Sequence, residues 1–510
     1  MRLLRLYIHE HRVLKELDIR FDPARRYDQS EADARDVFKR NFHLDFLVGV
    51  NGTGKSTVLR LLARIFSQSF AELRDLPFIL EYYRQKDDQT IRIANIALQE
   101  KTPLDRFAIT QVSGLNGDLD AQEPGYADAL DSALLPERII AYTTGAESEW
   151  FSLAGGNPFA QSIPEAIQDL NAQERSLQEL PGWSPAAVEE EQGGEAPRLR
   201  FIWQEQLPLV ALAGLLLHSA QANSPLGKVL QEAKIQRLAG FSLQFNLSYS
   251  SSIERAAIWQ IFGQHASRAI RSGGTLLLVF QPQEFAPVLE ASGGALALFE
   301  RLADWQRRET PLLVKVNLFL ERTQENESGN PTPPPLHTWE WLSDGERSFI
   351  GRMCLFMLFG EVESLILLDE PEVHFNDYWK RYIVSIMNEI FEKKAAKNHV
   401  LVATHSSISL TDVPPEDILV LERQDLFTGQ MKTPTMKTFG ADPGEIMVHV
   451  FGTGHASGEY SVKQVEDWLS EAYQKPEENR GVYLKGLLGK VAPGYWAYRI
   501  RREMVGLSLQ

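Results

Sequence analysis

Eight residues near the start of the chain, Gly49 to Ser56 (GVNGTGKS), fit the spacing G-x-x-x-x-G-K-[ST] at every fixed position. Glycines at such offsets let a backbone fold tightly around an anion. The N–H groups of the loop then point inward at the positive end of the helix that follows. In that frame Lys55 can neutralise β- and γ-phosphates, and Ser56 can offer its hydroxyl oxygen to Mg²⁺. The competing reading is a glycine-rich turn before an ordinary helix. The flanks argue against it: an apolar run, FHLDFLVGV at 42–50, comes before, and Val58, Leu59, Leu62, Ile65 and Phe66 recur afterwards at helical spacing.

Three further segments follow in order. LSDGE, Leu342 to Glu346, opens a helix with Ser343 in the N-cap position, and a helix start of that kind can hold an anion. SLILLDEPE, Ser364 to Glu372, is an apolar strand ending in carboxylates. Asp369 is placed to hold Mg²⁺ directly or through water, and Glu370 to orient or activate an attacking water. HVLVATHSS carries His405 at the end of another apolar strand, where an imidazole can reach a γ-phosphate. Each segment has an ordinary structural reading on its own: a capped helix, an acidic turn, a satisfied histidine. Their joint order is what favours phosphate chemistry.

The elements that must position these residues follow from periodicity. Residues 1–21 alternate as two strands around a turn near 9–12, and 22–41 read as a polar loop or short helix. After 340 the pattern is helix 344–361, strand 364–369, helix 376–396 and strand 399–404, which implies parallel strands with helical crossovers. Between about 146 and 310 the pattern is largely helical. Breaks are expected at 183–198, which is acidic with Gly and Pro, and at 323–335, which holds three consecutive prolines.

The chain has 510 residues and a formal net charge of −16, with 44% hydrophobic and 24% charged residues. That length favours more than one structural unit. The acidity argues against a surface that coats nucleic acid throughout, though a local basic patch remains open. The single cysteine, Cys354, precludes an intrachain disulfide and sits in an apolar run, so it reads as a buried structural thiol. The start of the chain lacks the pattern of a secretory signal. The apolar stretch at 207–217 is too short to span a bilayer and reads as a buried helix. A cytoplasmic location and no membrane partner are expected.

Taken together, the phosphate loop, LSDGE, the acidic strand and the histidine resemble the ABC ATPase superfamily, which includes transporters, SMC proteins and RecF-like repair ATPases. The resemblance implies an α/β fold: an ABC-type P-loop head of mixed sheet and flanking helices, with a long, mainly helical insertion. It implies ATP and Mg²⁺ as cofactors and a homodimer, or higher homo-oligomer, paired head to tail. ATP held by Asn51, Gly52, Gly54, Lys55, Ser56 and Thr57 of one copy would then meet Ser343 and Gly345 of the other. Ser56 and Asp369 would hold the metal, and Glu370 and His405 would be catalytic. Asn376 falls at the family's D-loop acid, and the segment 136–145 (PERIIAYTTG) occupies roughly the Q-loop slot without a glutamine. The expected organisation is a head built from 1–145 and 311–430, an insertion or lid at 146–310, and a partner-docking region at 431–510.

About 280 residues separate the phosphate loop from LSDGE, unlike the short insert of a transporter. DEPEVHFN resembles the DEPE-x-H-x-H pattern of RecF-like, OLD-type and related defence ATPases, with Asn376 in place of the second histidine. PERIIAYTTG also resembles a segment of those ATPases. TFGADPGEIM, Thr438 to Met447, resembles the C-terminal region of ATPase subunits in Septu-type and retron-linked antiphage systems. These likenesses imply a sensor or regulator ATPase acting with a separate effector nuclease, for instance of HNH type. Residues 431–510 are too short for a Toprim nuclease and contain no Asp-x-Asp. Two alternatives stand beside this reading: a RecF- or SMC-like repair ATPase, and a non-hydrolysing scaffold that ATP holds together. The cluster Tyr495, Trp496, Tyr498, Arg499, Arg501 and Arg502 suits a docking surface better than base stacking in so acidic a chain, although nucleic acid could be bound there or through a partner.

Overall fold

The computed structural model describes residues 1–21, 42–67, 70–97, 100–115, 117–145, 150, 153, 199–221, 224–308, 310–323, 335–360, 363–392, 398–424 and 427–508. The expected loop at 22–41, the break at 183–198 and nearly all of the break at 323–335 lie outside them. The chain divides into two compact units, Met1–Phe439 and Gly440–Gln510. The larger one therefore keeps the strand Phe427–Lys432, which the sequence reading had split between head and tail.

The main sheet of the larger unit changes character halfway across. One half is parallel and runs Ile418–Gln424, His43–Val48, His399–Thr404, Ser364–Asp369, Arg138–Thr143, Leu199–Ile202. These strands are short and almost wholly buried, as expected of strands covered on both faces. The other half is an antiparallel meander led by Arg2–His11 and Leu14–Arg20, which pair around the expected turn. Arg12, at φ 53°, takes the left-handed conformation that closes this turn.

A second sheet of five strands is antiparallel: Arg268–Ser272, Thr275–Phe280, Ile235–Asn246, Leu313–Arg322, Leu336–Thr338. Its first three strands fall in the segment read as largely helical. There the helices Leu207–Ala220, Leu226–Glu232, Ser252–Ile261, Phe285–Ser292 and Ala295–Gln306 alternate with strands. The strand sequence TLLLVF is apolar at nearly every position, so the two-residue period that marks a half-buried strand does not show in it.

Helix Asp344–Phe359 packs against helix Leu207–Ala220, which is apolar nearly all round and buried as expected. The approach is close. A Cβ on Gly214 would come within 2.5 Å of the Cys354 Cβ, so only glycine fits. Cys354 is buried, and burial pushes its thiol well above the usual range, as befits a structural rather than reactive cysteine. Two helices, Asp377–Lys380 and Ile383–Glu392, replace the single expected helix at 376–396.

The smaller unit holds helices Pro443–His449, Glu459–Gln474, Glu477–Leu488 and Tyr495–Ser508. Its core includes Val462, Val465, Leu469, Leu484, Leu487, Trp496 and Ile500. No helix among the described residues is long and apolar enough to cross a membrane.

Candidate functional site

The sheet order brings the chemistry together. Strand His43–Val48 lies between His399–Thr404 and Ile418–Gln424, and Ser364–Asp369 is the next strand over. All four are parallel, so their carboxyl ends emerge side by side, where open α/β sheets bind ligands. The loop after Val48, Glu370 after Asp369 and His405 after Thr404 thus share one edge.

The loop from Gly49 to Gly54 leads into helix Lys55–Ser67. Gly49, Gly52 and Gly54 have φ of 153°, 81° and 92°, which favour glycine. A Cβ on Gly54 would also meet Leu14 Cδ2 at 2.6 Å. Asn51 and Gly52 are exposed, whereas Lys55 and Thr57 are buried. Lys55 Nζ donates to Gly49 O at 2.9 Å and to His405 Nε2 at 2.8 Å. Burial lowers its pKa, and Glu370, Asp369 and Glu372 act in the opposite direction.

Ser56 Oγ donates to Asp369 Oδ1 at 2.9 Å, and Thr143 Oγ1 donates to Asp369 Oδ2 at 3.3 Å. Burial raises the Asp369 pKa, and these two hydroxyls pull it back. A carboxylate and a hydroxyl so close form a hard-oxygen pair suited to Mg²⁺, which usually keeps most of its remaining ligands as water and phosphate oxygens. The donor set thus fits the metal. Among the described residues no group of three or more His, Cys, Asp or Glu is placed to hold a metal.

Glu370 follows the strand with φ 52°, a left-handed conformation that costs a residue with a Cβ about 1–3 kcal/mol. Its amide donates to Ala403 O at 2.8 Å, and Thr144 Oγ1 donates to its carbonyl at 3.3 Å. Burial, then the neighbouring Glu372 carboxylate, push Glu370 up to about 8. Burial, then Lys55, push His405 down to about 4. Glu370 Oε1 and His405 Nε2 are 3.1 Å apart. Burial thus favours the uncharged form of both groups, which suits a carboxyl–imidazole hydrogen bond. The single Nε2 lone pair serves either this carboxyl or the Lys55 ammonium, and the ring proton sits on Nδ1.

Ser343 and Gly345 lie elsewhere. Ser343 caps helix Asp344–Phe359: its Oγ accepts from Glu346 N at 3.3 Å, and Glu346 Oε2 accepts from Ser343 N at 2.8 Å. This reciprocal cap holds the helix start open at the surface. A Cβ on Gly345 would meet His374 O at 2.9 Å, so glycine permits that approach. Among the described residues no hydrogen bond joins Ser343 or Gly345 to Gly49–Thr57. The Asn376 side chain caps its own short helix, accepting from Trp379 N at 2.8 Å.

Several neighbours escaped sequence reasoning. Thr143 and Thr144 come from PERIIAYTTG, the segment at the Q-loop slot; the hydroxyl pair at the end of an apolar strand is the available sign. Glu372 is buried and accepts from Thr404 Oγ1, and burial raises its pKa. Arg352 is a single cation in the apolar run FIGRMCLF, and that isolation was its signal.

This geometry defines a phosphate-binding site of P-loop type. Residues 204–412 match the family model described as "AAA domain, putative AbiEii toxin, Type IV TA system". The matched span includes Ser343, Asp369, Glu370 and His405 and leaves out the phosphate loop. No curated protein matches the chain. Among solved structures, the SMC head bound to the C-winged helix domain of ScpA aligns at 11% identity, covering 85% of this chain and 98% of its own, with a TM-score of 0.37. The SMC head domain from Thermotoga maritima aligns at 10% identity, covering 86% and 100%, with a TM-score of 0.33.

Proposed function

We propose that the chain binds and hydrolyses ATP in a head-to-tail homodimer and, through it, regulates a separate effector nuclease in prokaryotic antiphage defence. One observation carries the ATP reading. Lys55, Ser56, Asp369, Glu370 and His405 converge within hydrogen-bond reach, while the capped Ser343 helix start faces solvent away from them. An exposed helix start and a phosphate loop open at its rim are complementary across a two-fold axis.

In this reading the loop amides from Asn51 to Thr57 and the Lys55 ammonium bind the phosphates. Ser56 and Asp369 hold Mg²⁺, which when bound neutralises phosphate charge. A phosphate drawing Lys55 away from Nε2 leaves that lone pair to take the Glu370 proton, and the carboxylate so formed orients water and accepts its proton. His405 then reports the γ-phosphate to the strand that bears it. Ser343 and Gly345 of the second copy close the site.

The effector reading rests on the likeness of 369–376 and 438–447 to defence ATPases. The matched family description names a toxin of a type IV TA system, which agrees with a two-part arrangement. In the Gly440–Gln510 unit Tyr460, Tyr473, Tyr495 and Tyr498 are exposed, and tyrosines of this kind suit a protein partner.

The test is Glu370→Gln in the full chain. With ATP and Mg²⁺ it should form a persistent dimer by light scattering while turnover drops about 100-fold or more. A variant that stays monomeric with ATP bound would overturn the dimer reading. Strong, steeply salt-dependent duplex binding by the wild type would favour the repair alternative.

A further inference from the structure

The exposed helix start at Ser343 and the strained residue Glu370 are tied together by one buried side chain. Arg352 sits nine positions after Ser343 on helix Asp344–Phe359, about 13 Å along its axis. It is 1% exposed. Its Nη1 donates to Pro371 O and, at 2.7 Å, to Val373 O, the carbonyls on either side of Glu372. Its Nε donates to the Tyr142 hydroxyl at 3.0 Å. The guanidinium lies 5.0 Å from the Tyr142 ring centre and 4.9 Å from that of Phe375.

The contacts to Pro371, Val373 and Phe375 fall on the segment that carries Glu370. The turn from 370 to 375 contains two non-glycine residues with positive φ, Glu370 at 52° and His374 at 73°. Its internal bonds are short-range: Val373 N to Glu370 O at 3.1 Å and Phe375 N to Glu372 O at 3.0 Å. Such a turn persists when its surroundings over-determine it. Tyr142 belongs to strand Arg138–Thr143 and stands opposite Leu368, so its hydroxyl ties the guanidinium to the strand beside the acidic one. Nη2 has no hydrogen-bond partner although it is buried. A bare buried donor in native protein calls for an explanation.

We propose that Arg352 is a positioning residue for hydrolysis: it clamps the 370–375 turn to helix Asp344–Phe359, so that engagement of the Ser343 end sets where the Glu370 carboxyl stands. This rests on the ATPase reading above. The clamp needs a planar fork with several fixed donors and two stacking faces, which a lysine ammonium cannot supply.

The experiment uses the full-length protein with three variants, Arg352→Met, Arg352→Lys and Tyr142→Phe. Nucleotide affinity should stay within about threefold of wild type in all three, while kcat falls on the order of 30-fold for Met, nearly as far for Lys, and about three- to tenfold for Tyr142→Phe. In a Glu370→Gln background, Arg352→Met should cause no further loss, because the two act through one carboxyl. Amide hydrogen exchange over 370–376 should quicken about tenfold or more in Arg352→Met, with peptides of 344–359 unchanged. Unchanged kcat, equal falls in affinity and kcat, full rescue by lysine, additive losses, or unaltered exchange in the turn would each overturn the clamp. Should Arg352→Met fail to fold, Tyr142→Phe gives the same readouts. Were the wild type itself unable to turn over ATP, the hydrolysis reading would fall, and the exchange measurement would still decide whether Arg352 holds the turn.

Discussion

The Lys55 ammonium donates to His405 Nε2 across 2.8 Å, joining the phosphate loop to the end of a strand 350 positions away. The lysine that should meet phosphate and the histidine that should sense it are thus one hydrogen-bonded pair. Any ligand that recruits the first changes the electrostatics of the second.

Removing Lys55 should show both halves of this link. Lys55→Ala is expected to weaken ATP binding by about 10- to 100-fold, measured by calorimetry. In the same variant the His405 pKa should rise from about 4, because the charge of Lys55 is one cause of its depression. It should remain below the ordinary value of 6.5, because burial, the larger cause, is untouched. NMR titration of the histidine ring reads this directly, and an unmoved value would show that Lys55 exerts no influence there.

Ser56 tests the metal reading. Its hydroxyl donates to Asp369 at 2.9 Å and restrains the burial-driven rise of that carboxyl. Ser56→Ala should raise the Mg²⁺ concentration needed for half-maximal turnover by about tenfold, equivalent to ~1.4 kcal/mol. Normal Mg²⁺ dependence would place the metal elsewhere.

Closure in trans predicts a separation of binding from turnover. Ser343→Arg puts a bulky side chain at the exposed helix start and leaves the loop of its own chain intact. Nucleotide binding should persist, while ATP-dependent dimerisation and hydrolysis fall by about 100-fold or more. Mixing this variant with Lys55→Ala should restore one of the two composite sites. Full activity in Ser343→Arg alone would refute a shared site.

Two groups predict how stability should respond to pH in metal-free buffer. Glu370 is raised from 4.5 to about 8 in the fold, so its contribution is complete below about 4.5 and is lost as pH climbs through 8. His405 is lowered from 6.5 to about 4, so its contribution is present above 6.5 and is lost as pH falls through 4. The two oppose one another between 4.5 and 6.5, and of the two only Glu370 acts from 6.5 to 8. Melting temperature should therefore decline over that upper window, by a few degrees at most in a protein of this size. Glu370→Gln should flatten the decline, and an identical slope in both proteins would count against the raised carboxyl.

How much of this was legible in the sequence follows from the range of each interaction. Gly49 to Ser56, Ser364 to Asp369 and His399 to Thr404 stand out because a tight loop or a buried strand writes its demands into a few adjacent residues. The N-cap Ser343 is legible for the same reason, since its bonds reach no farther than Glu346. Thr143 was not legible: its role depends on strand Arg138–Thr143 pairing with Ser364–Asp369, and nothing local specifies a parallel neighbour 226 positions away. Arg352 was hidden in the same way, because its partners lie on a turn that only the folded sheet brings to it. Strand Thr275–Phe280 of the second sheet was missed because TLLLVF is apolar on both faces, which blurs strand and buried helix alike.

The place of strand His43–Val48 bears on how the protein is made. Its two neighbours in the sheet, His399–Thr404 and Ile418–Gln424, are translated more than 350 residues later. A nascent chain that has exposed the whole phosphate loop therefore still lacks both walls of the strand that holds it. Until synthesis passes residue 404, that apolar strand has neither neighbour to pair with, and it is then a natural target for chaperones. Premature termination anywhere in the intervening stretch should yield an inert, aggregation-prone fragment and never a nucleotide-burning one, a safeguard that arises from strand order.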